Sequence, residues 1–415
     1  MSQLTCLPAG RNYLEKLLEG VGTEWQALGD LVTLRRGRVM SKGFLSENTG
    51  MFPVYSSQTA NDGMIGSIDT YDFDGEYISW TTDGANAGTI FYRKGKFSIT
   101  NVCGLMKIID ENSLNYKYLY YWLSTEAKKY VYSGMGNPKL MSHQVEKIVV
   151  PIPCPDNPEK SLAIQAEIVR ILDAFTAMTA ELTAELNLRK KQYNYYRDKL
   201  LSFGDGKVEW KTLGDVAKVQ RGASPRPIAR YITEDENGVP WIKIGDTTTG
   251  SKYVNKTDQK ITHEGAKKSR ILRKGDFILS NSMSFGRPYI LDINGAIHDG
   301  WASISDFSEY LNSDYLYHFL SSSNVQNYWV SKINSGSVSN LNADLIKSLS
   351  IPIPLLSEQA RIVTILDKFE LLTNSITEGL PREIELRQKQ YEYYRDLLLS
   401  FPASPAGGPK SDEAA

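Results

Sequence analysis

The chain is 415 residues long, with 41% hydrophobic and 23% charged residues, which predicts a globular protein of about two or three domains. Its three widely separated cysteines argue against a disulfide framework or a zinc site and favour a cytoplasmic protein. No run of 18 apolar residues and no secretory signal pattern occur, so neither a membrane protein nor an exported one is expected. The formal net charge of −1 means that binding to a polyanion would depend on local clusters of positive charge.

In chain order, the sequence alternates between divergent blocks and similar helices. The segment Tyr13–Leu18 resembles Tyr196–Leu201, which predicts a short N-terminal helix near the C-terminal helix. The predicted divisions are an N-terminal helical segment at 1–21, a first block at 22–153, a first spacer helix at 154–205, a second block at 206–354, a second spacer helix at 355–403 and a flexible tail at 404–415.

The division depends on an internal repeat. The segment 192–203, QYNYYRDKLLSF, recurs at 390–401 as QYEYYRDLLLSF, and 165–175, QAEIVRILDAF, recurs at 359–369 as QARIVTILDKF. Each block opens on Glu-Trp, Leu-Gly-Asp and Arg-Gly motifs and closes on Pro-x-Pro. Similar helices with divergent blocks indicate that the helices share one task while the blocks have different targets. Simple duplication of a structural domain is the alternative.

Both spacer helices carry a heptad-like apolar seam. In the first helix the seam runs through positions 164, 168, 171, 175, 178 and 182, and the second helix repeats the pattern. Residues 161–203 as one helix would span about 65 Å, and we expect the two helices to pack antiparallel within the chain. A coiled coil between two chains is the alternative. Gly379-Leu380-Pro381 predicts a kink or a restart at Pro381.

The blocks read as mixed α/β structure. Apolar runs at 75–80 and 275–280, bounded by Gly and Asp, predict strands, and helices are expected at 115–132 and 313–332. The aromatic residues of these two helices are expected to lie in the core. The predicted fold class is therefore α/β, with two pseudo-repeated domains separated by two long antiparallel coiled-coil helices.

Positive and polar residues in the blocks are candidates for contacts with DNA phosphates and base edges. The first block offers Arg36, Arg38, Lys42, Ser57, Gln58, Asn61, Thr82, Asn86 and Arg93. The second block offers Arg221, Arg226, Lys267, Lys268, Arg270, Asn281, Ser284 and Arg287. A solvated face is the plainer interpretation of each cluster.

Motifs for catalysis are not found in the sequence. It contains neither an Asn/Asp-Pro-Pro-aromatic methyltransferase motif nor a Gly-rich phosphate loop, and its four histidines lack metal-ligand spacing. His298-Asp299 could form an acid–base pair, although a structural, hydrogen-bonded histidine is favoured. We therefore expect a non-catalytic chain without metal or cofactor.

The twin helix motifs, the paired Glu-Trp-x-x-Leu-Gly-Asp starts and the Pro-x-Pro ends resemble the specificity subunits of type I restriction–modification systems over residues 12–403. The resemblance implies two target-recognition domains that read the halves of a split double-stranded DNA site. It also implies that two methyltransferase subunits dock on the helices, that restriction subunits join them, and that these partners bind S-adenosylmethionine and ATP. The expected docking residues are Gln192, Tyr195, Tyr196, Arg197, Gln390, Tyr393, Tyr394 and Arg395. The alternatives are a scaffold with two protein-binding domains and an enzyme with an unrecognised site.

Overall fold

The computed structural model describes residues 17, 19–134, 136–204, 206, 208–247, 250–281, 286–334, 341–375 and 378–402. These residues form two compact units: the first contains 1–178 and 388–415, and the second contains 179–387. Each unit therefore combines one block with a part of both spacer helices. The predicted tail at 404–415 and nearly all of the N-terminal segment at 1–21 lie outside the described residues, so these two predictions stay open.

The first unit is built on a mixed six-stranded sheet. The strands of this unit are β1 (Thr23–Ala27), β2 (Val32–Arg36), β3 (Thr49–Tyr55), β4 (Met64–Ile68), β5 (Phe73–Thr81), β6 (Ile90–Ile99), β7 (Cys103–Ile108) and β8 (Val149–Pro153), of which β1 and β8 lie outside the sheet. Its first helices are α1 (Leu28–Leu31), α2 (Lys42–Glu47), α3 (Tyr116–Glu126) and α4 (Ser142–Val145). The sheet order is β2-β7-β5-β6-β3-β4, antiparallel except between β3 and β6.

The second unit contains two five-stranded sheets. Its strands are β9 (Glu209–Thr212), β10 (Lys218–Arg221), β11 (Ile232–Thr233), β12 (Val239–Ile242), β13 (Tyr253–Val254), β14 (Gln259–Ile261), β15 (Arg270–Leu272), β16 (Phe277–Ser280), β17 (Pro288–Leu291), β18 (Gly295–Ile297), β19 (Trp301–Ser305) and β20 (Ser350–Ile353). The sheet orders are β10-β19-β16-β17-β13 and β11-β14-β12-β18-β15. The short helices, numbered after the first spacer helix α5, are α6 (Leu213–Val216), α7 (His263–Lys267), α8 (Ser313–Leu320), α9 (Ser323–Asn334) and α10 (Ala343–Lys347).

The first and last strands of each block pair with each other. β1 lies antiparallel to β8, with Trp25 opposite Pro151, and β9 lies antiparallel to β20, with Trp210 opposite Pro352. The repeated Glu-Trp and Pro-x-Pro motifs thus form one two-stranded ladder in each unit. Proline is tolerated because these strands are at the edge of a ladder and need few amide donors.

The spacer helices differ in continuity. The first, α5, runs unbroken over Pro158–Leu200, and Asn157 caps it by accepting a hydrogen bond from the Lys160 amide. The second consists of α11 (Leu356–Asn374) and α12 (Gly379–Leu398). The predicted restart is confirmed, but it begins at Gly379, so that Pro381 lies in the first helical turn, where a missing amide donor costs little. Among the described residues, no helix is both long and apolar enough to cross a membrane.

Two aromatic stacks join the spacer helices, one in each unit. Phe175 of α5 stacks on Tyr394 of α12 in the first unit, with ring centroids 5.2 Å apart. Tyr196 of α5 stacks on Phe369 of α11 in the second unit at 5.6 Å. Because early residues of one helix meet late residues of the other, the helices run antiparallel within one chain, as predicted. Each seam also packs on a block: Ile168 is buried against α3, and Ile362 against α8.

The aromatic residues of the block helices belong to the core, as predicted. Tyr118 and Trp122 of α3 are buried beneath the first sheet, and Tyr315 of α8 and Trp329 of α9 are buried in the second unit. Burying rings of this size contributes a large part of the hydrophobic stabilisation of each block. These rings are consequently not available for stacking on nucleic-acid bases.

The repeated Arg-Gly motif has a steric cause. Gly37 follows β2 and Gly222 follows β10, and a Cβ atom would overlap the carbonyl oxygen of Ile99 at Gly37 and that of His298 at Gly222. Both carbonyls lie on the segment that leads into the neighbouring strand, β7 or β19. The two glycines therefore let each Arg-bearing strand end come close to the following loop.

We expect Gly222→Ala to lower the unfolding temperature of the chain by about 5 °C or more, because the overlap involves backbone that cannot move aside. Gly245→Ala is the matched control, since the space around Gly245 is open. Thermal unfolding followed by circular dichroism measures both variants. Equal unfolding temperatures for the two variants would contradict the steric explanation.

Candidate nucleic-acid interface

In the first block, predicted contact residues gather at one edge of the sheet. The loop 56–63 follows β3 and carries Ser57, Gln58 and Asn61, and the Asn86 side chain reaches the Ser57 carbonyl at 3.5 Å. Thr100, which follows β6, donates its amide to the Tyr55 carbonyl and its hydroxyl to Ser56. Backbone and side-chain hydrogen bonds thus bring loops 56–63 and 82–89 together, and Arg38 joins them by accepting the Asn101 amide.

Arg93 was predicted to contact DNA, but its side chain is only 2% exposed. Its guanidinium group donates to the Asp62 carboxylate at 2.7 Å, to the Asp62 carbonyl at 2.9 Å and to Ser79 at 3.0 Å. It also stacks 3.6 Å from the Tyr55 ring centroid. Burial lowers the pKa of Arg93, and Asp62 opposes that shift. Arg93 is therefore the internal support of loop 56–63 and not a surface contact.

Thr82 is likewise buried. Its amide donates to the Val102 carbonyl, and its own carbonyl accepts the Leu140 amide. It cannot reach a base edge in this conformation, which corrects its predicted role. The basic residues beside the edge are exposed. Arg36 ends β2 and contacts the Met141 sulfur, Arg38 pairs with Asp72 at 3.0 Å, and Lys42 begins α2.

In the second block, predicted residues gather around Asp299. Arg226 lies 3.5 Å from its carboxylate, Arg221 donates to its carbonyl at 3.3 Å, and the Asn281 amide group lies 3.4 Å from the same carbonyl. Arg270 in turn donates to the Arg221 carbonyl. The hydrogen bond from Ser224, together with the charge of Arg226, lowers the pKa of Asp299, so the carboxylate stays ionised.

His298 has a structural role. Its Nδ1 accepts the Gly300 amide at 2.9 Å, and its Nε2 lies 3.1 Å from Asp299. The favoured interpretation of this pair, a hydrogen-bonded histidine, therefore agrees with the geometry.

The remaining predicted residues of the second block lie in different places. Lys267 ends α7 and Lys268 follows it. Both are exposed, and Lys268 pairs with Glu264 at 3.1 Å. Arg287 contacts the Tyr289 ring and lines a cavity of about 350 Å³ together with Arg197 and Glu370. Ser284 lies outside the described residues. Whether any predicted residue touches DNA stays a prediction.

The two edges are equivalent positions of one framework. Arg36 on β2 lies opposite Gly104 on β7, and Arg221 on β10 lies opposite Ala302 on β19. The amides of Thr82 and Asn281 bond to the segments before β7 and β19 in the same way. Two acids organise the edges, Asp62 in the first block and Asp299 in the second. Sequence reasoning missed Asp62 and considered Asp299 only as the partner of His298. The only sequence signal of Asp62 was a carboxylate placed between Asn61 and Gly63 in a turn.

The predicted docking residues divide into exposed and internal groups. Tyr195 and Tyr393 are 59% and 57% exposed, whereas Tyr196 and Tyr394 form the stacks between the helices. Arg197 is buried and bonds to Ser323, so it fixes the second block to α5 and is not free to dock a partner. Burial corrects the prediction for Arg197. Tyr196 is 38% exposed and Tyr394 is partly buried, so docking through these two tyrosines stays a prediction.

Gln192, Gln390 and Arg395 are partly buried on the helices. Gln192 accepts a hydrogen bond from Arg189, and Arg395 bonds to Asp396. Gln390 also interacts with another group of the chain. Docking through these three residues stays a prediction.

An exposed stripe occurs once on each spacer helix. It consists of Leu188 and Tyr195 on α5, and of the equivalent Leu386 and Tyr393 on α12, all of them exposed. An ion pair borders each stripe, Arg189 with Glu185 at 2.7 Å and Arg387 with Glu383 at 2.8 Å. Leucine and tyrosine exposed at equivalent positions of a duplicated surface suit two copies of one partner.

Comparisons with known proteins agree with this architecture. A family described as "Type I restriction modification DNA specificity domain" matches residues 22–189 and 206–386. The chain is 42% identical over 413 residues to the Type I restriction enzyme EcoR124I/EcoR124II specificity subunit of Escherichia coli, covering 94% of this chain and 97% of the relative. It is 36% identical over 410 residues to a putative type I restriction enzyme specificity subunit of Haemophilus influenzae, covering 94% and 99%.

Solved structures share the fold at low sequence identity. The S subunit of a type I restriction-modification system from M. genitalium superposes with a TM-score of 0.57 at 15% identity, covering 93% of this chain and 98% of that one. A chain from a study of type I R-M complex assembly and conformational transition gives 0.55 at 14% identity, covering 91% and 97%. Because a family match covers both blocks and a 42% identical relative spans nearly the whole chain, this protein belongs to the family of type I restriction–modification specificity subunits.

Proposed function

We propose that each block reads one half of a split double-stranded DNA site and that the chain itself carries no catalytic centre. The observation that supports this is the pair of equivalent sheet edges, on one framework but with different side chains. Arg38 with Ser57, Gln58 and Asn61 would face one half-site, and Arg221 with Arg226 and Asn281 the other. Arginine and carboxamide groups are the side chains most suited to reading base edges in the major groove.

We further infer that two methyltransferase subunits dock on the stripes of Leu188 with Tyr195 and of Leu386 with Tyr393. Restriction subunits would then join this assembly. S-adenosylmethionine and ATP would be bound by those partners, in the cytoplasm, while this chain supplies position and sequence selectivity. The duplicated stripes support the expected number of methyltransferase copies, since one surface present twice binds one partner twice.

The double variant Arg221→Gln with Arg226→Gln tests the DNA proposal. In the assembled methyltransferase complex we expect at least about tenfold weaker binding to the specific duplex, because each lost base or phosphate contact costs about 1–3 kcal/mol. If both arginines contact phosphates, the slope of log Kd against log salt should also fall by about 1–2. The duplex is first identified by mapping methylated bases in cells with and without the complex.

Lys347→Gln is the matched control, since Lys347 is exposed in the same block and pairs only with the nearby Asp344 among the ion pairs of the described residues. Unchanged affinity in the double variant, or an equal loss in the control, would contradict the assignment of this edge.

A further inference from the structure

The same joint attaches each block to its spacer helix. A fully buried glutamine forms the first point of the joint: Gln165 accepts the Asn115 amide at 2.8 Å and donates to the Ser113 carbonyl at 2.9 Å. In the second unit, Gln359 accepts the Asn312 amide at 2.7 Å and donates to the Tyr310 carbonyl at 2.9 Å. In each unit, one carboxamide thus forms hydrogen bonds with backbone groups just before the aromatic helix, α3 or α8. These bonds depend little on the other side chains of the block.

A buried tyrosine forms the second point. Tyr118 donates to the Pro151 carbonyl at 2.7 Å, and Tyr315 donates to the Pro352 carbonyl at 3.1 Å. These bonds link the aromatic helix to the last strand of its block. The first two points are thus the same in both units.

The third point is an aspartate of the repeated helix sequence, and here the blocks differ. Asp173 accepts Lys117 at 2.5 Å and the Tyr121 hydroxyl at 2.7 Å. Asp367, its equivalent, meets His318 at 2.8 Å and Lys252 at 3.4 Å. Position 121 of the first block corresponds to His318, and position 117 corresponds to an acid, Asp314. The cation is therefore supplied from a different part of each block.

Lys252 is 12% exposed and lies among three carboxylates, at 2.7 Å from Asp314, 3.4 Å from Asp367 and 3.7 Å from Glu370. Burial acts to lower its pKa, but the three acids outweigh burial and raise it, so Lys252 stays charged. His318, Asp367 and Glu370 could also form a set of metal ligands, but the Lys252 ammonium already contacts both of these acids. The helix contributes Glu370 to this cluster, whereas the equivalent residue of α5 is Thr176.

The charges on the two sides of the joint are therefore matched. The helix with Thr176 packs on the first block, in which one cation, Lys117, pairs with one helix aspartate, Asp173. A helix with glutamate holds a block whose lysine also neutralises its own Asp314. Exchanging the helices would remove an acid from Lys252 in one case. In the other it would add an unpaired acid at exposed position 176, three residues from Asp173, where the two like charges repel each other.

We propose that Thr176 and Glu370 determine which recognition block each spacer helix can hold. The two glutamines and two tyrosines form the shared part of the joint, and position 176 or 370 forms its selective part. The contacts involved lie between a block and its spacer helix, so the inference does not rest on the proposed function.

The test introduces one substitution into two full-length chains. We expect it to change the unfolding temperature in opposite directions in the two chains. Thr176→Glu in the natural chain is expected to lower the unfolding temperature by about 3 °C, since it adds an acid beside Asp173. In a chain whose first block, 22–153, is replaced by the second block, 206–354, the same substitution is expected to raise the unfolding temperature by a similar amount. Ala177→Glu, at the next exposed position, should act alike in both chains.

A change of the same sign in both chains would overturn the proposal, because a local effect on helix stability would not depend on the block. If the exchanged chain folds only with Glu at position 176, the proposal is supported. If the exchanged chain folds with neither Thr nor Glu at position 176, a second measurement in the natural chain tests the proposal. There, Glu370→Thr should lower the unfolding temperature when Lys252 is present and leave it unchanged or raise it in a Lys252→Met background. Equal losses in both backgrounds would also overturn it.

Discussion

Replacing Arg93 with Met is expected to weaken recognition through the first block strongly while recognition through the second block persists. Arg93 is the only described side chain that joins Asp62, Ser79 and the Tyr55 ring in one set of contacts. Asn61 and Asp62 both have positive φ angles, 50° and 53°, which non-glycine residues adopt rarely and only when other contacts hold them. Without the guanidinium group, loop 56–63 loses the contacts that hold this conformation.

The expected consequence is a loss of about 100-fold in affinity for duplexes that carry the first half-site, since several readers of that half-site move together. Binding to competitor duplexes with single half-sites, together with methylation mapping in cells, measures the effect. Lys94→Met is the matched control, because Lys94 is 72% exposed and its nearest acid, Glu76, is 4.0 Å away. Loss of both half-sites, or of neither, would contradict the role of Arg93.

Lengthening both spacer helices by four residues, one insertion after Met178 and one after Arg387, is expected to widen the unread gap between the half-sites. Four helical residues add about 6 Å, which corresponds to about one or two base pairs at 3.4 Å each. The insertions fall between the two units, so both aromatic stacks and both joints keep their own residues. Methylation mapping should find both half-sites unchanged and the gap larger.

A length-preserving change of the same segment, Thr183→Ala, serves as control and should leave the gap as it is. An unchanged gap in the lengthened chain would mean that the helices do not set the spacing. An insertion in only one helix would shift one member of a stacked pair, so that variant is expected to lose stability.

The repeat allowed much of the fold to be predicted. The α5 seam, the antiparallel pairing, the restart near Pro381 and the buried aromatic helices all follow from periodicity and from proline chemistry, which act over a few turns. The sheet orders could not be predicted, because pairings such as β3 with β6 depend on residues far apart in the chain. The seam was predicted to pack against the other helix, and its residues Ile168 and Ile362 also belong to the core clusters of the blocks.

The candidate site was predicted less well, for a reason that Arg93 illustrates. A charged residue in a basic cluster looks the same in sequence whether it faces solvent or supports a loop. The two cases are distinguished only in the structure, where the Arg93 side chain is buried and contacts Asp62. Tyr195 and Tyr196 pose the same problem, since adjacent residues of one motif point to different surroundings when the helix has neighbours on one side.

The ladders of β1 with β8 and of β9 with β20 have an evolutionary consequence. In each block the first and last strands pair with each other, so the two ends of the block lie side by side. A gene segment that encodes a whole block can therefore be exchanged without displacing the flanking helix. Recombination breakpoints in viable mosaic genes should therefore fall in the repeated helix sequences or within 23–27 and 149–153, together with their counterparts 209–212 and 350–353. Breakpoints inside the central sheets would separate strands that pair over long stretches of sequence, and such genes should be rare among natural isolates.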